Sequence, residues 1–287
     1  MTVCVAALAA KAKAIVCVAD KAITYDDYIQ WDADCDKIVE MNASGTVCLT
    51  SGDDESIFRI VRKLSRATGL NDSVQAATDA SERAYEEAIE EEVEKQFLKP
   101  RLLDRKSYLR AITGSEINEY MLGLMKNIDD YSAADLIIAG FTTKGEPILL
   151  EMQHPGLAAD AVNSGSTAIG SGAEKAVSKL LWSSTERRHP IERVLYDAFD
   201  AKANAEMAVG VGYEWDAAVI VPGKVVRVPK RIKDLIEKAW SQHDRSPFET
   251  YNRSTDVAPP PDGWQETLKK WADAITSKSS KSRKSKR

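Results

Sequence analysis

The residue best equipped for chemistry in this chain is its second. Thr2 follows an initiator methionine and is a small penultimate residue of the kind that aminopeptidase processing tolerates. Excision of Met1 gives Thr2 a free α-amine. An α-amino group titrates near pH ~8, so beside its own hydroxyl it can serve as base to a nucleophile on the same residue. A Met-Thr start alone carries little information, because many chains have one. Two charged residues add to it. Asp20 ends the apolar run Ala14 to Ala19, and Lys37 opens the run Ile38 to Met41. A charge set against the apolar end of a strand needs compensation, and an Asp with a Lys can supply it to each other. A lysine ammonium beside Thr2 disfavours the ammonium form of the Thr amine and favours the ionised hydroxyl, while Asp20 holds the lysine. The bland alternative is a pair of unrelated surface charges at two strand ends.

Other chemistries lack material. No phosphate-binding P-loop, H-E-x-x-H, G-x-S-x-G or dinucleotide fingerprint occurs. There are 3 His, and His154 and His189 each directly precede a proline. Neither a histidine triad nor a metal cluster is expected, and no cofactor is implied. The 4 Cys (Cys4, Cys17, Cys35, Cys48) are widely spaced within the first 48 residues, three of them in apolar strand-like runs. That pattern predicts buried free thiols in a reducing cytoplasm, with neither a zinc site nor a disulfide framework.

The elements that must position Thr2, Asp20 and Lys37 can be read from periodicity. Val3 to Ala9, Ala14 to Ala19, Ile38 to Met41 and Val47 to Thr50 read as short strands separated by polar turns, most simply as consecutive hairpins. From Asp54 the period becomes helical through Ile57, Ile60, Val61 and Leu64, closed by Gly69, and a second helix covers Asp72 to Phe97 up to Lys99-Pro100. Leu102 to Lys126 reads as helix broken at Gly114. Strands return at Ala134 to Phe141 and Pro147 to Met152, and a short one leads into Ala168 to Gly172. Helices follow at Ala173 to Trp182 and Ile191 to Met207, then an apolar strand at Trp215 to Val221. Segregated runs of strands and helices argue for α+β layers, two antiparallel sheets covered by helix pairs, rather than alternating βαβ units.

Beyond Pro222 an edge strand at Val225 to Val228, a helix at Arg231 to Trp240, the prolines Pro259 to Pro261 and a helix at Trp264 to Ile275 read as an appendage with no core of its own. The domain boundaries expected are 1–222 for the main domain, 223–277 for a linker and helical extension, and 278–287 for a basic disordered tail. Lys278 to Arg287 hold six Lys/Arg and no acid, so removing them from the net charge of -5 leaves the rest near −11. The body is acidic and only the tail is basic, which gives nucleic acid no primary role. No run approaches the roughly 20 apolar residues of a membrane span, and no signal peptide is recognisable, so a cytoplasmic location with no membrane partner is expected.

The ordered set Thr2-Val3-Cys4-Val5, Ala19-Asp20, Asp36-Lys37-Ile38, Thr50-Ser51-Gly52-Asp53-Asp54, Leu136 to Phe141, Gly145 to Leu149, Ala168-Ile169-Gly170-Ser171-Gly172 and Trp215 to Ile220 resembles the proteasome β-subunit family of N-terminal nucleophile threonine hydrolases. The start Met-Thr-x-Cys-Val is similar to its bacterial proteasome-related branch. The resemblance implies a four-layer αββα sandwich with a helical C-terminal extension. It implies Thr2 as nucleophile, Lys37 tuning it, Asp20 orienting Lys37, Ser171 bonding near the terminal amine, and a backbone N–H at Ser51 or Gly52 as oxyanion donor. It further implies a peptide or unfolded-protein substrate, a homo-oligomeric ring or open-ring assembly, and an unfoldase partner of unknown identity. A specificity pocket near Tyr25, Ile29 and Cys48 would follow from the same register.

Three positions depart from the family's pattern. Ala22 stands where an Arg is usual, and Ala208 and Val211 stand where an Asp and a Ser usually frame the nucleophile, with Asp200 or Asn204 as possible substitutes. Loss of such a frame lowers activity without changing the fold. A catalytically silent structural or assembly subunit is therefore the competing reading. Gly170-Ser171-Gly172 can also be read as a plain helix cap.

Overall fold

The computed structural model describes residues 2–25, 29–32, 36–41, 45–113, 119–129, 134–208, 210–243 and 262–284. In chain order the strands are β1 (Cys4–Ala9), β2 (Ala14–Asp20), β3 (Ala22–Tyr25), β4 (Ile29–Asp32), β5 (Ile38–Glu40), β6 (Val47–Gly52), β7 (Ala134–Phe141), β8 (Pro147–Gln153), β9 (Leu157–Asp160), β10 (Ser166–Ile169), β11 (Trp215–Val221) and β12 (Lys224–Arg227). The α-helices are α1 (Asp54–Leu64), α2 (Val74–Val93), α3 (Arg105–Thr113), α4 (Glu119–Asp129), α5 (Ala173–Trp182), α6 (Ile191–Ala205), α7 (Lys230–His243) and α8 (Trp264–Lys284). One five-stranded antiparallel sheet has the order β10-β1-β2-β11-β12, and a second has the order β5-β6-β7-β8-β9.

Side-chain parity along the strands builds the layers. Val5, Ala7, Val16 and Val18 point outward into a core shared with α5 and α6, whereas Cys4, Ala6, Leu8, Ile15 and Cys17 point inward. Across the gap, Val47, Leu49, Ile137 and Leu149 of the second sheet meet those inward residues. The other face of that sheet, Cys48, Leu136, Ile138 and Leu150, packs on Ile60, Leu64, Ala77 and Tyr85 of α1 and α2. Each sheet is thus covered on both faces, which is why β1 and β2 read as unbroken apolar runs instead of alternating ones. The result is the α+β layering expected from the segregated periodicities, in the four-layer αββα form that the resemblance implied. Among the described residues no helix is long and apolar enough to cross a membrane.

Several local features differ from the sequence reading. The hairpin β3–β4 pairs Ala22 with Asp32 and Tyr25 with Ile29, a register that the mixed polar sequence there does not announce. Strand β9 extends the second sheet beyond Met152. The C-terminal extension is more than an appendage: Val228, Ile232, Leu235, Ile236, Leu268, Ala272 and Ile275 are buried in the same core as α6. Trp240 and Trp264 pack on that core, edge-on to Phe199 and against Tyr196 respectively. Helix α8 continues to Lys284, into the segment expected to be a disordered tail. The prolines Pro259 to Pro261 and the thiol of Cys35 lie outside the described residues; Cys4, Cys17 and Cys48 are buried free thiols. Burial raises the pKa of the Cys17 and Cys48 thiols far above the ordinary range, so both are inert at neutral pH.

Candidate functional site

Thr2, Asp20 and Lys37 meet at one end of the inter-sheet layer. Thr2 precedes β1, Asp20 is the last residue of β2, and Lys37 precedes β5 at the edge of the facing sheet. Pairing of Cys4 with Ala19 brings the start of β1 beside the end of β2. Lys37 is set in place by its own carbonyl, which accepts a 3.1 Å hydrogen bond from Thr50 N–H of β6.

The geometry is a closed polar network in a buried setting. The Lys37 ammonium donates to Thr2 Oγ1, to Asp20 Oδ1 at 3.0 Å and to the Ala22 carbonyl at 2.6 Å. Thr2 Oγ1 in turn donates to Asp20 Oδ1. Asp20 is the hub: Oδ1 also accepts from Val3 N–H at 2.8 Å, and Oδ2 accepts from Ala22 N–H at 3.1 Å and Gly212 N–H at 3.0 Å. The Asp20 side chain is fully enclosed and that of Lys37 is 9% exposed. Three backbone donors and an ammonium give the enclosed carboxylate the hydrogen-bond partners that such burial demands. Chemically, the arrangement sets the Thr2 hydroxyl against an ammonium, a contact able to stabilise an alkoxide.

The other expected residues fall nearby with one change of role. Ser171, exposed at the β10–α5 junction, donates to the Thr2 carbonyl at 3.4 Å, a long bond, and Gly172 N–H reaches the same oxygen at 3.3 Å. Gly170 has φ +90°, and a Cβ placed there would lie 2.4 Å from the Thr2 carbonyl oxygen, so glycine is required by both conformation and space. Ser51 is buried at the end of β6, paired with Asp135, and Gly52 is exposed with φ +123°.

One expectation is corrected. Cys48 does not line the mouth between the sheets. It faces α1 and α2 because it is one residue out of phase with Leu49 and Ser51 on β6. The side chains of Tyr25 and Ile29 lie outside the described part of the molecule. Asp200 and Asn204, the possible substitutes for the missing frame residues, engage neighbouring helices: Asp200 binds Trp240 Nε1 at 2.8 Å and Lys179 at 3.0 Å, and Asn204 donates to the Lys175 carbonyl at 3.2 Å. The residues missed by sequence reasoning are Ala22 and Gly212, which act through backbone atoms. The glycines Gly210 and Gly212 just before β11 were the available signal, since a paired glycine often marks a close backbone approach.

No protein-family model matches this chain, and no curated protein matches it. Among solved structures it is similar to the crystal structure of eukaryotic HslV from Trypanosoma brucei, with 16% sequence identity over 76% of this chain and 98% of that chain and a TM-score of 0.48.

Proposed function

We propose that the chain is a threonine-type peptidase whose nucleophile is Thr2 after removal of Met1. The observation carrying this reading is the contact of the Lys37 ammonium with Thr2 Oγ1 inside a buried network closed by Asp20. The freed α-amine takes the Oγ1 proton as the oxygen attacks a peptide carbonyl carbon. Lys37 stabilises the developing alkoxide, and the amine then delivers the proton to the leaving nitrogen. Water hydrolyses the resulting ester and restores Thr2. For the oxyanion donor we favour Gly52 over Ser51. Thr50 N–H points toward Lys37; amides alternate along a strand, so that of Ser51 turns to β7 and that of Gly52 returns to the Lys37 side.

A peptidase with so simple a nucleophile needs confinement, so we further propose a cytoplasmic homo-oligomeric ring fed with peptide or unfolded chains. Sedimentation of the purified protein as a monomer at micromolar concentration would count against the ring. The competing reading, a silent structural or assembly subunit, is favoured by Ala208 and Val211 standing where polar frame residues were expected.

Intact-mass measurement separates the two. The peptidase reading requires a mass lacking Met1, and retention of Met1 leaves Thr2 with an amide in place of an amine. A fluorogenic peptide panel completes the test: turnover by the wild type must disappear in Thr2→Ala, and equal turnover in that variant means another nucleophile.

A further inference from the structure

Lys37 belongs to an edge segment with little sheet behind it. Strand β5 has three residues, and on its inner side it is held by β6 through the Ile38–Leu49, Val39–Cys48 and Glu40–Val47 register. On its outer side stands Arg227, the last residue of β12, which is the edge of the other sheet. Arg227 Nη1 and Nη2 donate to Asp36 Oδ1 and Oδ2 at 2.9 and 2.7 Å, and Nη2 also donates to the Ile38 carbonyl. Asp36 Oδ1 accepts from Ile38 N–H at 3.1 Å. The guanidinium therefore grips both neighbours of Lys37, on either side of it in sequence.

Parity along β12 makes this possible. Val225 packs on the inter-sheet core and Val226 on the outer one, so Arg227 points inward across the gap. The two edges are close at a second point, since a Cβ on Gly45 would lie 2.7 Å from the Lys224 amide nitrogen. A two-pronged guanidinium on a carboxylate fixes direction as well as distance, which a lysine at the same place cannot do.

We propose that Arg227 is a positioning residue for Lys37: a staple from the C-terminal strand that fixes the Asp36–Ile38 backbone and thereby the origin of the lysine side chain. Arg227 touches neither Thr2 nor Asp20. Its catalytic consequence rests on the threonine-peptidase reading; its effect on the backbone does not.

The test is residue-resolved amide exchange on the full chain, comparing wild type with Arg227→Met, Arg227→Lys and Asp36→Asn. In Arg227→Met the Ile38 and Thr50 amides should exchange roughly tenfold faster while Val3 and Gly212 keep their wild-type rates. Arg227→Lys, which retains charge without the fork, should give an intermediate acceleration and supplies the answer if the Met variant does not fold. Unchanged rates at Ile38 and Thr50, or equal acceleration at all four amides, overturns the proposal. In peptide hydrolysis Arg227→Met should lower kcat roughly tenfold with KM unchanged, and an unchanged kcat overturns the catalytic part. A wild type without turnover overturns the peptidase reading instead, and the exchange rates still decide whether the staple exists.

Discussion

Among the described residues two lysines are buried, and they solve the same electrostatic problem in opposite ways. Lys202, in the last turn of α6, has a side chain with no exposure. It donates to Glu206 Oε1 at 2.8 Å, one turn along its own helix, and to the Tyr213 carbonyl at 2.6 Å. Lys37 has no carboxylate on its own element within reach; its partners come from the chain start, from the end of β2 and from Ala22. A local ion pair forms with its helix and needs little else. A pair assembled from three segments exists only when both sheets are in register, which is the arrangement a site needs and a merely structural pair does not. Lys202 does border the site indirectly, since the loop it holds at Tyr213 contains Gly212, a donor to Asp20.

The sharpest way to break this comparison is to remove each charge while keeping the stem. Lys37→Met should lower peptide turnover by about 10³-fold, the scale of losing a group that manages the proton of a nucleophile. Lys202→Met should lower it by at most about threefold, through a looser Gly212 loop. Side-by-side kcat/KM measurements check this, and comparable losses in the two variants would mean that Lys37 is no more than a second structural cation.

The carboxylates give the next largest contrast. Asp20→Ala strands an enclosed ammonium and the N–H groups of Val3, Ala22 and Gly212 at once. We expect a loss of about 3–5 kcal/mol, typical of breaking a buried pair from one side. Glu206→Ala also removes the carboxylate from a buried ammonium, but the Tyr213 carbonyl stays on it and the N–H groups around Asp20 keep their acceptor, so a smaller loss than that of Asp20→Ala is expected. Urea denaturation of both variants measures the gap, and equal losses would contradict the hub role given to Asp20.

What the sequence revealed and what it hid follow from the same physics. Asp20 and Lys37 were legible because a charge at the end of an apolar run is conspicuous. The layers were legible because strand runs and helical periods are segregated along the chain. Ala22 and Gly212 were not, because a carbonyl and an amide carry no side-chain signature. Nor was the Arg227 staple, whose partners Asp36 and Ile38 are about 190 residues away in sequence. Lys202 was partly legible: with Leu195, Phe199 and Glu206 it falls on one stripe of α6, and a lysine on an apolar stripe demands a partner. Cys48 was misplaced by a single residue of register, enough to send a strand side chain to the opposite face.

A third, smaller effect compares two glycines in the left-handed region. A Cβ at Gly170 would meet the Thr2 carbonyl oxygen at 2.4 Å, Thr2 Cγ2 at 2.8 Å and Ser51 Oγ at 2.9 Å, whereas a Cβ at Gly223, φ +80°, meets nothing within 4 Å. Gly223→Ala isolates backbone strain, about 1–2 kcal/mol. Gly170→Ala adds overpacking of about 1–3 kcal/mol and displaces the nucleophile. Thermal melts and peptide turnover should therefore separate the variants, with activity lost only in Gly170→Ala. Loss of turnover in both would show that strain, not contact with Thr2, is responsible.

The smallest effect concerns a carboxylate near the same end of the sandwich with no cation beside it. Asp135 pairs with Ser51 in the strand register and makes no ion pair among the described residues. Burial raises its pKa, the charge of Glu151 adds to the rise, and His154 acts in the opposite sense. The folded state therefore binds this proton more tightly than the unfolded chain. Between the unfolded value, near ~3.9, and the raised folded value, stability falls as pH increases, and above that window the penalty stays constant. Asp135→Asn removes the titration, so its gain over the wild type should be present at pH 7 and disappear below pH ~4. Urea midpoints at the two pH values measure it. A gain of the same size at both would assign it to packing of the amide, and a loss at pH 7 would mean that the charge at Asp135 is compensated after all, as those of Asp20 and Glu206 are.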